Sequence, residues 1–174
     1  MKALRKELSA DFILSASSAI KRNLLTQLER FQTIMLYLSA FNEPDTHSII
    51  QELLRLDKTI AVPISHTDDF TIVPSRLSSL DGLKKGAYGI YEPVEETPIP
   101  ISDIDAVVIP GVVFDLHGSR LGFGKGYYDR FLEHFQGLKI GICYDFQIID
   151  NLPCDLHDIK MDLIITEKRM YNDF

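Results

Sequence analysis

Residues 104–135, with the sequence IDAVVIPGVVFDLHGSRLGFGKGYYDRFLEHF, carry the clearest structural pattern in the chain. It opens with an unbroken apolar run at 106–109, which is typical of a strand covered on both faces. From Tyr127 onward the pattern predicts a helix with one apolar face, formed by Phe131, Leu132 and Phe135. Between the two lies a glycine-rich turn, so the stretch predicts a strand–turn–helix unit.

The turn alternates Gly122, Gly124 and Gly126 with Phe123 and Lys125. Without Cβ atoms at the glycines, successive backbone N–H groups can line an open concave surface, and such surfaces bind anions. The positive end of the predicted helix opens beside the same turn. The turn is therefore a candidate anion site.

Charge near the turn favours a large anion. From Gly118 to Arg130 the chain carries Arg120, Lys125 and Arg130 against Asp129, a local excess of basic residues in a protein whose net charge is −7. A polyanion such as a nucleoside triphosphate is the predicted ligand.

The spacing of the turn excludes two familiar phosphate-binding loops. A Walker A loop needs glycine where this chain has Ser119, and Ser or Thr where it has Gly126. A dinucleotide fingerprint beginning at Gly122 needs glycine where the chain has Tyr127. A bare GxGxG pattern also fits a plain tight turn between a strand and a helix, and this alternative stays open on the glycines alone.

Composition indicates one soluble domain over residues 1–174. The chain is 45% hydrophobic and 25% charged, which is ordinary for a globular protein. Its acidic balance argues against nucleic-acid or anionic-membrane partners, and it contains no apolar run long enough to span a bilayer. Cys143 and Cys154 lack metal-ligand spacing, and the place of Cys143 in an apolar strand favours a buried reduced thiol, so a cytoplasmic protein is expected.

Strands and helices alternate along the chain. The predicted strands are Thr33–Ser39, Thr59–Val62, Phe70–Val73, Ile104–Ile109, Leu138–Cys143 and Leu163–Thr166. Helices are predicted over Met1–Leu8, over Asp11–Phe31, and from an N-cap at Thr46 through Leu54. This order predicts a three-layer α/β fold, with a largely parallel sheet and helices on both faces.

Several motifs together resemble one enzyme family. They are Pro110–Asp115, Gly118–Arg130, Tyr37-Leu38-Ser39 with Glu43, Gly89–Pro93 and Met161–Glu167. They resemble the 5-formyltetrahydrofolate cyclo-ligase family, also called methenyltetrahydrofolate synthetases. The resemblance implies a fold similar to ribose-phosphate isomerases and CoA-transferases.

The resemblance also implies a reaction. In the family, ATP phosphorylates the formyl oxygen of 5-formyltetrahydrofolate, N10 closes onto the activated carbon, and phosphate leaves to give 5,10-methenyltetrahydrofolate. Such chemistry needs positioning and charge neutralisation rather than a protein nucleophile. Magnesium is the implied cofactor, ATP and the folate are the implied partners, and a monomer or weak dimer is expected.

Site residues carry over from the family by their positions in the motifs. ATP would be bound by Lys2, Arg5, Arg120, Leu121, Gly122, Phe123, Gly124, Lys125, Gly126, Tyr127 and Tyr128. The folate would be bound by Leu38, Glu43, Phe123, Gly124, Lys125, Gly126 and Tyr127. Magnesium would be held by Asp129 and Asp162. Arg120 and Lys125 are the implied catalytic charges.

Two positions depart from a uniform family pattern. Relatives carry a lysine four residues before the arginine matched by Arg5, whereas here that place is Met1 and the lysine is Lys2. Lys2 can still share a helix face with Arg5. Many relatives have glycine in place of Lys125, so this lysine is expected to assist catalysis rather than to be indispensable.

Two other functions remain open on the residues alone. One is a catalytically silent module that binds a nucleotide or a folate, and the other is a sugar-phosphate isomerase on a similar fold. An isomerase would need a general base but neither ATP nor metal, and a silent module would bind ligands without turnover.

Overall fold

Helices and strands alternate in the computed structural model, which describes residues 1–153 and 158–172. The helices are α1 (Lys2–Lys6), α2 (Ala10–Leu28), α3 (His47–Arg55) and α4 (Tyr127–Leu132). The strands are β1 (Thr33–Leu36), β2 (Thr59–His66), β3 (Thr71–Leu77), β4 (Lys84–Lys85), β5 (Tyr91–Glu92), β6 (Ala106–Ile109), β7 (Val113–Asp115), β8 (Arg120–Leu121), β9 (Leu138–Ile142), β10 (Ile148–Ile149), β11 (Leu163–Ile165) and β12 (Met170–Tyr171).

Seven of the described strands form the central sheet, in the order β12-β11-β9-β6-β1-β2-β3. The five inner strands are parallel, and each edge strand runs antiparallel to its neighbour. β2 and β3 are longer than predicted, because they pair as a hairpin from Ile60 with Leu77 to His66 with Thr71. Parallel strands place their carboxyl ends at one edge of the sheet, where α/β proteins bind ligands.

Side chains alternate between the two faces of the sheet and build two cores. Ile34 and Leu36 pack with α2 and α3 on one face. Met35 and Val107 pack on the other face, with α4 and with Phe114 of the small sheet β10-β7-β8. The predicted fold class is confirmed: an α/β protein with a largely parallel sheet and helices on both faces.

The turn that leads into α3 is fixed by side chains. Thr46 occupies the N-cap position, but its hydroxyl does not cap the helix and instead donates to the carbonyl of Tyr37, 2.6 Å away. The first two N–H groups of α3 donate instead to the carboxylate of Asp45. The predicted N-cap position at Thr46 is confirmed, but its hydroxyl ties α3 to the end of β1 instead of capping the helix.

The structure also bears on the predictions about the cysteines and about membrane-spanning segments. Cys143 is buried and unbonded, as predicted for a reduced thiol, while Cys154 lies outside the described residues. No helix in the described part of the chain has the length and apolar character needed to cross a membrane.

Candidate active site

A cavity of about 720 Å³ lies beyond the carboxyl ends of the inner strands. Tyr37 and Leu38 reach it from the end of β1, Pro63 and Ser65 from β2, and Pro110 from the end of β6. The volume falls within the roughly 300–1,000 Å³ of pockets that hold small organic ligands. The site therefore lies where an α/β sheet is expected to bind its ligand.

The glycine turn forms one wall of the cavity. We call residues 120–128 the glycine loop; every one of them lines the cavity, as does Asp129 in the first turn of α4. Gly124 and Gly126 have φ of +84° and +68°, backbone conformations that glycine adopts without strain. The structure thus brings together the whole segment that the sequence predicts to bind phosphates.

Arg120 is held in place on both sides of its guanidinium group. Its Nη2 donates to Oδ1 of Asp129 at 2.7 Å, and its Nη1 donates to the carbonyl of Pro110 at 3.4 Å. A Cβ at Gly122 would lie 2.7 Å from Nη1 of Arg120, so a larger residue there would displace the guanidinium. Gly122 therefore leaves the space that the guanidinium of Arg120 occupies.

Arg130 fastens the glycine loop to the β2–β3 hairpin. Its guanidinium donates to the carbonyl of Phe70 at 2.8 Å and to the carbonyl of Lys125. The ammonium of Lys125 lies 5.6 Å from the centroid of the Phe70 ring, within the range of a cation–π contact. Arg130 and Phe70 are not among the site residues implied by the family resemblance, because their contact depends on the hairpin, which lies far away along the chain.

Two tyrosines of the cavity lining contact each other through their hydroxyl groups. The hydroxyls of Tyr88 and Tyr127 lie 3.2 Å apart, and both residues line the cavity. Burial and the hydrogen bond with Tyr88 raise the pKa of Tyr127 to about 12, so the phenol stays protonated near neutral pH. Tyr88 is missing from the predicted site, although the family motif Gly89–Pro93 begins at the next residue.

The cavity lining also carries a buried carboxylate. Glu43 is 9% exposed, and one of its oxygens accepts the N–H of Ala40 at 3.1 Å. Its other oxygen lies 3.5 Å from Nη1 of Arg5. Burial raises the pKa of Glu43, while the N–H of Ala40 and the charge of Arg5 act against this rise. Leu38 lies beside it as an apolar wall residue.

Two more phenols line the cavity, one at the end of β1 and one in the glycine loop. The hydroxyls of Tyr37 and Tyr128 are buried and have no hydrogen-bond partner among the described residues. Burial raises the pKa of both, with a further contribution from the negative charge of Glu43. Both phenols are therefore neutral near physiological pH. Tyr37 is absent from the predicted site because in sequence it reads as an ordinary strand residue.

The two predicted contacts from α1 lie outside the cavity lining. Arg5 is 4% exposed, and its side chain turns to Glu43. Lys2 is exposed and places its ammonium 4.5 Å from the centroid of the Phe123 ring in the glycine loop. Lys2 thus lies next to the loop, whereas the side chain of Arg5 is buried behind Glu43.

The two predicted magnesium ligands are not brought together. Asp129 lines the cavity, but Asp162 precedes β11 and does not. A carboxylate oxygen of Asp162 lies 2.9 Å from the ammonium of Lys139 and also accepts the N–H of Lys139. The described residues contain no cluster of three or more His, Cys, Asp or Glu side chains able to hold a metal. The residues present therefore fit magnesium only through Asp129, with other ligands coming from a bound nucleotide and water.

Comparison with known proteins identifies the family. Residues 1–167 match the family model described as the 5-formyltetrahydrofolate cyclo-ligase family. The 5-formyltetrahydrofolate cyclo-ligase of Mus musculus is 30% identical, over 95% of this chain and 93% of its own length. The enzyme of the same name from Haemophilus influenzae is 29% identical, over 95% of this chain and 93% of its own.

Solved structures agree with this match. The 5,10-methenyltetrahydrofolate synthetase of Aquifex aeolicus superimposes with a TM-score of 0.86 at 36% identity, covering 98% of this chain and 88% of its own. The synthetase of Mycoplasma pneumoniae gives a TM-score of 0.79 at 30% identity, covering 95% of this chain and 93% of its own. The chain belongs to the 5-formyltetrahydrofolate cyclo-ligase family of enzymes.

Proposed function

We propose that this enzyme converts 5-formyltetrahydrofolate and ATP into 5,10-methenyltetrahydrofolate, ADP and phosphate. The γ-phosphoryl group passes to the formyl oxygen, N10 then attacks the activated formyl carbon, and the carbon–oxygen bond breaks as phosphate leaves. One observation carries the proposal: a single cavity is lined by both a basic glycine loop and a buried carboxylate.

The glycine loop is suited to the phosphates. Its left-handed glycines leave backbone N–H groups free of neighbouring Cβ atoms, and Arg120 and Lys125 supply positive charge at the same wall. A transferring phosphoryl group needs such positioning and charge stabilisation rather than a covalent partner. Arg120 offers a planar fork to two phosphate oxygens, whereas Lys125 offers a mobile point charge.

Glu43 is suited to the folate ring. An ionised carboxylate can accept two adjacent N–H groups of a pteridine in a bidentate fork. Its position in the wall beside Leu38 gives the ring an apolar surface next to the charged contact. Tyr37 and Tyr128 supply neutral hydroxyls to the same cavity.

Magnesium, when bound, would neutralise the negative charge of the β- and γ-phosphates. Asp129 would hold it, because this carboxylate lines the cavity and remains 36% exposed while one oxygen pairs with Arg120. One protein carboxylate with phosphate and water oxygens is a usual magnesium environment at ATP sites. Asp162, paired with Lys139 before β11, takes no part in this proposal.

The decisive experiment mixes the protein, magnesium-ATP and 5-formyltetrahydrofolate and follows the near-ultraviolet absorbance of the methenyl product. Product is expected only when both ATP and magnesium are present. Undiminished turnover in a chelator would rule out the metal requirement. Ligand binding without any product would indicate a catalytically silent binding module. Isomerisation of a sugar phosphate without ATP would indicate a sugar-phosphate isomerase.

A further inference from the structure

We propose that Arg130 is a positioning residue of the glycine loop: it ties the carbonyl of Lys125 to the β2–β3 hairpin, so that the loop backbone is already arranged to bind the phosphates of ATP. The inference rests on the proposed function, since it needs the glycine loop to bind phosphate. It adds a residue that the family resemblance assigns to no substrate and that does not itself line the cavity.

The hairpin offers Arg130 a fixed acceptor. The carbonyl of Phe70, just before β3, accepts hydrogen bonds from Nε of Arg130 at 3.0 Å and from Nη2 at 2.8 Å. The next residue, Thr71, donates its N–H and its hydroxyl to Oδ1 of Asp69 at 3.0 Å and 2.7 Å, and it pairs with His66 of β2. The acceptor therefore belongs to an ordered edge of the central sheet.

The same guanidinium fixes one peptide of the glycine loop. Nη2 of Arg130 also donates to the carbonyl of Lys125. The peptide bond between Lys125 and Gly126 is trans, and the C=O and N–H groups of a trans peptide point in opposite directions. The N–H of Gly126 is therefore directed away from the guanidinium, and it donates to no acceptor within residues 1–153 and 158–172. Arg130 thus orients an unpaired backbone donor of a residue that lines the cavity.

Side chains add to the link between the hairpin and the loop. The ring of Phe70 packs edge-on against the ring of Tyr127, with centroids 5.8 Å apart, and the ammonium of Lys125 lies 5.6 Å from the Phe70 centroid. A Cβ at Gly126 would lie 3.0 Å from Nη1 of Arg130, so glycine leaves room for the guanidinium beside the loop. Ring and charge contacts support the link, and the guanidinium donates to the backbone on both sides of it.

Both segments that Arg130 joins line the cavity. Pro63 and Ser65 of β2 and Ile72 of β3 belong to the same lining as the glycine loop. A loop without this tie would have to be ordered by the nucleotide, and the cost of that ordering would lower the affinity for ATP. A guanidinium donates to two acceptors at once in a rigid planar fork, whereas an ammonium is a flexible point charge. The role therefore favours arginine and acts mainly on nucleotide binding.

The test compares Arg130→Met with Arg55→Met, which removes an exposed arginine at the end of α3, outside the cavity lining. Steady-state kinetics give kcat and the KM for each substrate, and calorimetry measures the binding of a non-hydrolysable ATP analogue. For Arg130→Met we expect KM for ATP and the Kd of the analogue to rise about tenfold, the scale for losing hydrogen bonds from a charged donor. KM for the folate and kcat are expected to change by less than about threefold, and Arg55→Met is expected to resemble the wild type.

Two further measurements separate positioning from other roles. Arg130→Lys keeps a charged donor but loses the planar fork, so it is expected to recover part of the affinity for ATP. Hydrogen exchange in the ligand-free protein is expected to be faster in α4 of Arg130→Met than in the wild type, because the loop before this helix is no longer tied to the hairpin. Thermal melting verifies folding, and Arg130→Lys supplies the comparison if Arg130→Met does not fold.

Three results would decide against these roles. Unchanged affinity for the ATP analogue in folded Arg130→Met, or equal losses for both substrates, overturns the proposal. Weakened ATP binding with unchanged hydrogen exchange also overturns it, since that result would indicate direct contact between Arg130 and phosphate. Failure of the wild type to bind the ATP analogue refutes the proposed function instead.

Discussion

Two parts of the cavity lining are proposed to bind the folate and the phosphates, and they are built in opposite ways. The first, called the folate wall, consists of buried side chains, with Glu43 and Leu38 fixed by the end of β1 and by the turn into α3. The second, called the phosphate wall, is the glycine loop, where Leu121 and Phe123 are half exposed and two glycines have left-handed φ. A buried carboxylate suits a ring of fixed shape, while backbone N–H groups in an open loop suit a phosphate chain whose charge moves during reaction.

Arg120→Ala tests the phosphate wall most severely. It removes the guanidinium that pairs with Asp129 at 2.7 Å and faces the cavity. We expect turnover to fall by about a hundredfold or more, the scale for losing a preorganised charge-stabilising donor. Steady-state kinetics at saturating substrates measure this, with circular dichroism and thermal melting to verify folding.

Lys125→Gly is the matched comparison within the same loop. In the wild type, the side chain of Lys125 is exposed and contacts the ring of Phe70 rather than a charged partner. A clearly smaller loss than for Arg120→Ala is expected, mainly as a higher KM for ATP. If Lys125→Gly abolished turnover while Arg120→Ala stayed near wild type, the roles assigned within the glycine loop would be reversed.

Glu43→Gln tests the folate wall. The amide keeps one acceptor oxygen but loses the charge, so affinity for 5-formyltetrahydrofolate is expected to fall about tenfold. Affinity for ATP should stay nearly unchanged, because the proposed contact is with the pteridine alone. Calorimetric titration of each ligand measures both values, and equal losses for the two would indicate a structural role.

Asp129→Asn and Asp162→Asn separate the two predicted magnesium ligands. For Asp129→Asn, the magnesium concentration that gives half-maximal turnover is expected to rise severalfold, because the cavity loses its proposed metal carboxylate. Asp162→Asn should leave that concentration unchanged and alter thermal stability little, since its pair with Lys139 is partly exposed. A magnesium effect confined to Asp162→Asn would contradict the arrangement proposed for the cavity.

Gly124→Ala and Gly82→Ala are the most closely matched pair of substitutions, and their expected effects on stability and kinetics are the smallest. Both glycines have positive φ, +84° and +74°, and an added Cβ at either meets no atom within 4 Å. Each substitution is therefore expected to cost about 1 kcal/mol of folding stability through backbone strain alone. Only Gly124→Ala should also raise KM for ATP, because Gly82 lies outside the cavity lining. Equal kinetics for the two variants would show that the loop backbone does not bind phosphate.

Residue patterns along the chain predict the fold class and the content of the phosphate wall. The apolar run at 106–109 became the buried strand β6, and the alternation of strands and helices gave a largely parallel sheet. The predicted anion segment 120–128 lines the cavity as one continuous piece. These features could be predicted because periodicity, glycine spacing and helix starts are local properties of the chain.

Contacts between residues that are distant in sequence depend on the packing of the folded chain. Arg5 lies against Glu43, Arg130 holds the hairpin through Phe70, and Asp162 pairs with Lys139 away from the cavity. No periodic pattern or fixed spacing in the sequence predicts these contacts, because each depends on how whole helices and strands pack. Whether a charge is buried beside a partner or faces a ligand is set by that packing, so identical residue types acquired different roles.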